Sequence, residues 1–204
     1  GLSNVLAART AVEPGNPIGV DVERDELSLF PLIYWPISTS QTLLSDKAIE
    51  RVNRYMATGG TILFDTRDQN LEGGNSANKQ MLRALARGLS LPPLEPVPDG
   101  HVLTKSFYLL IDFPGRWDGG LLWVERGGSA ERDQVSRVIT GSNNWAAAWA
   151  VDIAGRPQFA VVPGGEAQRE VAFRVGVNLV MYVMTGNYKS DQVHAKHILE
   201  RVGE

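Results

Sequence analysis

LSDKAIERVNRYMATGGTILFD, residues 44–65, has the pattern of an α-helix that runs directly into a buried β-strand. Ser45 is a typical helix N-cap, and apolar residues then recur at helical spacing as far as Met56. Gly59 and Gly60 supply the left-handed stop. The run TILF follows at once, as is typical of a parallel strand buried on both faces. The segment therefore predicts an α/β domain with a mainly parallel sheet.

The chain before residue 100 extends this pattern. We expect a helix over 2–9, a strand over 29–37 and a second amphipathic helix that contains Met81, Leu82, Leu85 and Leu89. The proline-rich segment 91–98 predicts a polyproline-like strap on the surface.

The sequence pattern of the second half of the chain indicates short strands rather than alternating helices and strands. Short apolar runs separated by glycine turns indicate a β-rich extension over residues 101–162. Its candidate strands cover 107–111, 121–125, 135–140, 146–150 and 158–162. A long buried helix over 166–185, stopped by Gly186 and Asn187, is followed by a terminal helix over 191–202. We predict one three-layer α/β domain spanning residues 1–204.

The composition excludes several kinds of chemistry. The chain has no cysteine, which rules out disulfides, thiolate nucleophiles and cysteine-ligated metals. A formal net charge of −3 gives no basic surface for nucleic acid. The apolar stretch 171–185 is too short and too polar to span a bilayer. We expect no cofactor and no metal site, and we expect a domain cut from a longer protein whose membrane anchor lies outside this chain.

Four polar residues follow the predicted strand 61–64 and form the first candidate site. Ligands of open α/β sheets bind at the carboxyl ends of the strands, where we expect Asp65, Thr66, Arg67 and Asp68. Arg67 would clamp an anion, with Asp65 or Asp68 as its polar partner. The alternative is a solvated loop with an internal ion pair. The glycine-rich segment 73–76 matches neither a Walker loop nor a dinucleotide fingerprint.

Further candidates come from later segments. His101 has no nucleophile elbow nearby in the sequence, so a ligand-contacting or structural histidine is the favoured interpretation. Tyr108 follows it, and we predict that His101 or Tyr108 approaches the 65–68 loop. Arg116 lies in an aromatic turn and could stack on a partner. His194 and His197 lack a third metal ligand.

The helix 166–185 carries a polar stripe, since Glu170, Arg174, Asn178 and Tyr182 recur every four residues. We predict that Arg174 is largely inaccessible and paired with Glu170 or another carboxylate. The alternative is that Arg174 or Asn178 points into a polar site.

The sequence also resembles a known family. The segments 91–98, 101–108, 113–116 and 186–194 resemble a bacterial domain of unknown function found at the C-terminus of Bat-type, aerotolerance-like membrane proteins. More remotely, residues 55–65 resemble the class I glutamine amidotransferase-like and trehalose-utilisation-like fold, which is flavodoxin-like. That resemblance places Asp65 near the nucleophile position, which is a cysteine in glutamine amidotransferases. His101 and Thr104 resemble the ends of a His-Pro-x-Thr motif of the trehalose-utilisation-like group, in which Val102 stands in place of the proline.

These observations favour binding over catalysis. The first hypothesis is a non-catalytic domain of a membrane-anchored inner-membrane protein that binds a small polar ligand or a protein partner. The second is a hydrolase that uses Asp65 or Thr66 with His101, and the third is a structural domain of a cell-envelope complex. Acyl transfer needs an activated nucleophile, so we expect no glutamine or ester hydrolysis.

Overall fold

A computed structural model describes residues 1–71, 76–127 and 135–202, with side chains as far as Thr185. Five strands and five helices follow one another along these residues. In chain order they are α1 (Leu2–Arg9), β1 (Leu32–Pro36), α2 (Asp46–Ala57), β2 (Thr61–Asp65), α3 (Ala77–Ala86), β3 (Leu94–Pro96), β4 (Trp123–Glu125), β5 (Val138–Gly141), α4 (Trp145–Trp149) and α5 (Gly165–Val202).

The strands form one sheet in the order β1-β2-β5-β4-β3. β2 lies parallel to β1 on one side and to β5 on the other, with Asp65 opposite Pro36 and Gly141. β4 is antiparallel to β5, and β3 is antiparallel to β4. The carboxyl ends of β1, β2 and β5 therefore meet at one edge of the sheet.

Helices cover both faces because side chains alternate along the buried strands. Ile62 and Phe64 pack with α2 and α3 on one face. Leu63 and Ile139 pack with α4 and α5 on the other. The described residues thus form three layers, with the sheet in the middle, as the sequence predicts.

The helix-to-strand step at 44–65 is confirmed. Ser45 accepts the backbone N–H of Ala48, as an N-cap should. Gly59 has a φ of 101°, which a side chain would strain, and the buried strand β2 follows. The helix 2–9 is also confirmed, and β1 occupies the middle of the predicted strand 29–37.

The predicted β-rich extension is wrong in its organisation. Only β4 and β5 arise from its five candidate strands, and both join the main sheet. Residues 146–149 of the predicted strand 146–150 are helical, in α4, and 107–111 form no strand. Around 158–162 there is only a single bridge, between Val162 and Trp117.

Two further predictions need correction. Within the proline-rich strap, residues 94–96 form the edge strand β3, where a proline is tolerated because one side of the strand needs no partner. Gly186 and Asn187 do not end the last helix, whose backbone continues to Val202. No helix within the described residues is long and apolar enough to cross a membrane.

Candidate functional site

Two adjacent parallel strands send the chain to opposite faces of the sheet. β2 leads towards α3, which packs on the Ile62 face, whereas β5 leads into α4 on the Leu63 face. Such a topological switch point opens a gap at the carboxyl ends of the two strands, and ligands of α/β proteins bind there. The residues that follow β2 and β5 are therefore the first place to look for a site.

Asp65 is the central group at this edge. One oxygen, Oδ2, accepts hydrogen bonds from the Tyr34 hydroxyl at 2.7 Å and from the Trp145 backbone N–H at 2.9 Å. The other, Oδ1, accepts from the backbone N–H groups of Arg67 at 2.9 Å and Asn144 at 3.2 Å. The carboxylate thus joins β1, β2 and the start of α4.

The burial of these groups affects their ionisation. Burial raises the pKa of Asp65, and the four hydrogen bonds oppose that shift. Burial, followed by the charge of Asp65, raises the pKa of Tyr34, while the nearby charge of Arg67 lowers it. Tyr34 therefore keeps its proton and remains a donor to Asp65.

The backbone on both sides of Asp65 adopts an uncommon conformation. Arg67 has a φ of 59° and Asn144 a φ of 56°, and they are the non-glycine residues with positive φ among the described part of the chain. Both N–H groups point at the same oxygen of Asp65. Non-glycine residues in this region are strained unless their surroundings hold them, and such strain concentrates at functional sites. We call Asp65, Thr66, Arg67, Asp68 and Asn144 the carboxyl-edge cluster.

The hydroxyl and second carboxylate of the cluster are also engaged. The Thr66 hydroxyl donates to Asp68 Oδ1 at 2.6 Å, and the Ser76 hydroxyl donates to Asp68 Oδ2. Asn78 donates from its side-chain amide to the Thr66 carbonyl at 2.8 Å. Thr66 and Asp68 are both buried, so this network fixes the loop after β2 rather than exposing a nucleophile.

The Arg67 guanidinium has fewer hydrogen-bond partners than the carboxylates of the cluster. Its Nη2 donates to the carbonyl of Ile37 at the end of β1. Its Nε is buried and has no acceptor among the described residues. No carboxylate within the described residues lies within 4.0 Å of the guanidinium, which belongs to none of the ion pairs there.

Arg116 reaches the same edge through its backbone only. Its N–H donates to the Asn144 carbonyl at 3.3 Å. Its guanidinium turns away, lies 4.6 Å from the Trp117 ring centre and 5.3 Å from that of Phe159, and donates to the Ala160 carbonyl. The predicted stacking cation is thus already stacked within its own chain.

His101 lies at the other end of the strands. Its ring centre is 5.5 Å from that of Tyr182, whose hydroxyl accepts the N–H of Ser136, just before β5. Thr61, the first residue of β2, also bonds to Ser136. A five-residue strand spans about 13 Å, so these contacts place His101 at the end of β2 opposite the 65–68 loop and do not support its approach to that loop.

The surroundings of His101 explain its chemistry. Nδ1 accepts the N–H of Leu103, so the neutral ring carries its proton on Nε2, which is buried without an acceptor among the described residues. Burial lowers the pKa of His101, and the charge of Glu95 opposes that shift. The ring is a neutral, capping histidine in the described structure.

Tyr108 and Asn178 are joined to each other. The Asn178 side chain accepts the Tyr108 N–H at 2.7 Å and donates to the carbonyls of Tyr108 and Leu103. Tyr108 makes no hydrogen bond or ring contact with the 65–68 loop in the described structure. We call His101, Tyr108, Asn178 and Tyr182 the amino-end cluster.

Arg174 pairs with Glu170 at 3.0 Å, as predicted, but its side chain is 43% exposed. The predicted inaccessibility is therefore wrong. Arg9 of α1 also donates to both oxygens of Glu170 at 2.8 Å, so this carboxylate is shared by two arginines at the surface. The Arg174 guanidinium also lies 5.2 Å from the Tyr108 ring centre.

Sequence reasoning missed Tyr34 and Asn144 as members of the site. The two adjacent asparagines before a tryptophan offered a signal for Asn144, because asparagine tolerates the left-handed conformation. Tyr34 gave no signal, since it lies in an apolar strand and meets Asp65 only through the sheet register. The side chains of His194 and His197, and most of the 73–76 segment, lie outside the described residues.

The fold and site together define an α/β domain with a polar, strained switch point and no metal cluster within the described residues. Residues 1–184 match the family described as Domain of unknown function (DUF4159), and the chain belongs to that family. No curated protein matches the chain.

Proposed function

We propose that this chain is a non-catalytic domain that binds a small polar ligand at the carboxyl-edge cluster. The observation that carries the proposal is the pair of left-handed residues, Arg67 and Asn144, held at a topological switch point by one buried carboxylate. The Asn144 side chain makes no capping hydrogen bond to α4, and Arg67 keeps an Nε–H without an acceptor among the described residues. These groups are free to meet a ligand, whereas the remainder of the cluster is internally bonded.

The same geometry argues against the hydrolase alternative. The Thr66 hydroxyl is buried and donates its hydrogen bond to Asp68 Oδ1, so it is not presented to a substrate. His101 belongs to the amino-end cluster and bonds to Leu103 rather than to a hydroxyl. A nucleophile needs a base within hydrogen-bond reach and a group that orients the base. Among the described side chains, Thr66 and His101 do not form such a pair.

The proposal can be tested by amide chemical-shift mapping with a set of neutral and charged polar small molecules. We expect at least one to perturb the amides of residues 66–68 and 142–144 together. A purely structural domain would show no saturable shift there. In parallel, we expect no hydrolysis of glutamine or activated esters. Turnover abolished by Thr66→Ala or His101→Ala would establish the hydrolase instead.

A protein partner is the second candidate, and a separate surface favours it. In the loop 107–111, Phe107, Leu109 and Ile111 are exposed, with Leu109 at 87% and Ile111 at 102%. Contiguous exposed apolar side chains of this kind mark interaction surfaces. A photo-crosslinker at position 109, compared with one at exposed Glu50 on α2, tests this. We expect one dominant product from position 109 only, and equal labelling from both positions would contradict it.

The membrane context stays a proposal as well. The family resemblance suggests that the domain is carried by a membrane-anchored protein, with the anchor in segments outside this chain. Fractionation of the full-length protein, compared with this chain expressed alone, would test the suggestion. We expect the full-length protein in the membrane fraction, and its recovery with the soluble proteins would contradict the proposal.

A further inference from the structure

The Arg67 guanidinium lacks a hydrogen-bond acceptor for its Nε–H among the described residues. The Arg67 side chain is half-buried, its Nε–H is buried, and among the described residues only its Nη2 has an acceptor, the carbonyl of Ile37. A buried N–H without an acceptor is costly, and a half-buried cation with no carboxylate of the described residues within 4.0 Å adds to that cost. The fold therefore keeps this arginine in place at the expense of stability.

The Asp65 carboxylate, which binds the backbone N–H of Arg67, has no acceptor capacity left for the guanidinium. Both oxygens of Asp65 already accept two hydrogen bonds each, from Tyr34, Trp145, Asn144 and the Arg67 backbone N–H. Four acceptor positions are about the full capacity of a carboxylate. Asp65 thus fixes the backbone of Arg67 but leaves the guanidinium donors for something else.

Arg116 shows what a satisfied arginine looks like in the same region. Its Nε donates to Ala160, and its guanidinium lies between the rings of Trp117 and Phe159. Buried Arg169 likewise pairs with Glu166 and donates to two backbone carbonyls. Arg67 lacks both kinds of arrangement.

We infer that Arg67 is the ligand-charge receptor of the carboxyl-edge cluster and that it takes an oxyanion, either a carboxylate or a phosphate group. This inference rests on the proposed function, because it names the chemical class of the ligand for the same site. A planar guanidinium offers adjacent N–H groups that match two oxygens of one anion. Such a ligand would supply an acceptor for Nε and a negative charge in direct contact with the guanidinium.

The experiment uses the whole chain and two simple probes, inorganic phosphate and acetate, with chloride replaced at constant ionic strength. Binding is followed by calorimetry and by the NMR resonance of the Arg67 Nε–H. Arg67→Asn removes the charge while retaining a residue that tolerates positive φ. Arg67→Lys retains the charge and the backbone strain but loses the planar donors. Arg54→Gln, at an exposed position on α2, is the matched control for charge loss.

We expect saturable binding of at least one probe, with a shift of the Arg67 Nε–H resonance. Arg67→Asn and Arg67→Lys should each weaken binding at least tenfold, and Arg54→Gln should leave it unchanged. Phosphate binding without acetate binding would identify a phosphate ligand, and the reverse would identify a carboxylate. Amide spectra establish that each variant is folded, and Arg67→Lys carries the test if Arg67→Asn is not.

Two results would overturn the inference. One is the absence of saturable binding of either probe, and the other is equal binding by the wild type and a folded Arg67 variant. If neutral polar molecules still perturb the amides of 66–68 and 142–144, only the oxyanion assignment fails. If nothing perturbs those amides, the proposed function fails with it.

Discussion

The carboxyl-edge cluster and the amino-end cluster lie at opposite ends of the same strands and handle polar groups differently. At the amino end, both the oxygen and the nitrogen of the Asn178 amide bond to the backbone of Tyr108 and Leu103. Burial lowers the pKa of His101 and so favours its neutral form. At the carboxyl edge, Asp65 concentrates four donors on one carboxylate, yet the neighbouring guanidinium is left unsatisfied. The first arrangement closes a loop onto a helix. The second leaves the Arg67 guanidinium with a donor that has no acceptor among the described residues.

The comparison teaches that buried polarity alone does not identify a site. Asn178 and Asp65 are both completely buried, and both accept hydrogen bonds from backbone N–H groups. The informative difference is whether any donor or acceptor remains unpaired after the internal bonds are counted. His101 also has an unpaired Nε2–H, but it carries no charge when neutral and packs on Tyr182. Arg67 combines an unpaired donor with a permanent charge, as Arg51 on α2 also does, but of these two only Arg67 lies at the carboxyl ends of the parallel strands.

The largest expected effect is that of Asp65→Asn. The amide keeps one acceptor oxygen and turns an NH₂ group towards donors that previously met a carboxylate. We expect a loss of about 3 kcal/mol in the free energy of unfolding, because at least two buried donors lose their acceptors. Chemical denaturation measures it. Asp118→Asn, at an exposed carboxylate that bonds only to the next residue's N–H, is the control and should leave stability unchanged. A loss below about 0.5 kcal/mol for Asp65→Asn would show that the carboxylate does not organise the edge.

Asn178→Ala probes the amino-end cluster and should cost somewhat less. The substitution leaves the N–H and C=O of Tyr108 and the C=O of Leu103 without their partner, which we estimate at about 2 kcal/mol. Water can reach part of this loop, since Tyr108 is only partly buried. Denaturation under the same conditions gives the comparison directly. If Asn178→Ala proves more damaging than Asp65→Asn, the ranking of the two clusters is reversed.

A smaller effect should follow pH through His101. Burial lowers the folded-state pKa of His101 below its ordinary value of about 6.5, so the unfolded chain binds more protons below that pH. Its contribution to stability is therefore complete above pH 6.5 and declines as the pH falls below it. His101→Asn, which can still cap the turn at 102–104, should flatten this part of the stability profile. Identical profiles for both proteins between pH 7 and 5.5 would show that His101 ionises freely in the folded state.

The elements that the sequence predicts well are those with local causes. Ser45, the helical spacing up to Met56 and the left-handed Gly59 act within twenty residues, and they define α2 and β2. Residues 146–150 look like a strand, but 146–149 lie in α4, where Asp65, which is 80 residues from Trp145, accepts the first N–H of the helix. Residues 107–111 look like a strand too, but the side chain of Asn178 replaces the strand partner for Tyr108.

The candidate site divides in the same way. Asp65 to Asp68 could be placed from the strand that precedes them, since ligands favour the carboxyl ends of strands. Neither the participation of Tyr34 nor the separation of His101 from Asp65 is encoded locally, because both depend on sheet order and register. The order β1-β2-β5-β4-β3 carries the chain from β2 to the far edge before it returns at β5. No periodicity within one segment reveals that return.

The smallest expected effect is that of Arg174→Ala, although a buried ion pair at this position would predict a large one. The Arg174 side chain is 43% exposed, and its partner Glu170 keeps both bonds to Arg9 when Arg174 is removed. No buried charge is left alone, so we expect a loss of about 0.5 kcal/mol, which is typical of an exposed pair one helical turn apart. Thermal and chemical denaturation at low and high salt measure it. Glu170→Gln is the sharper companion, because it deprives Arg9 and Arg174 of their shared carboxylate and should cost more than Arg174→Ala. A loss of 3 kcal/mol or more for Arg174→Ala would mean that Arg9 does not replace it, and that the contact of Arg174 with Tyr108 anchors the amino-end cluster to α5.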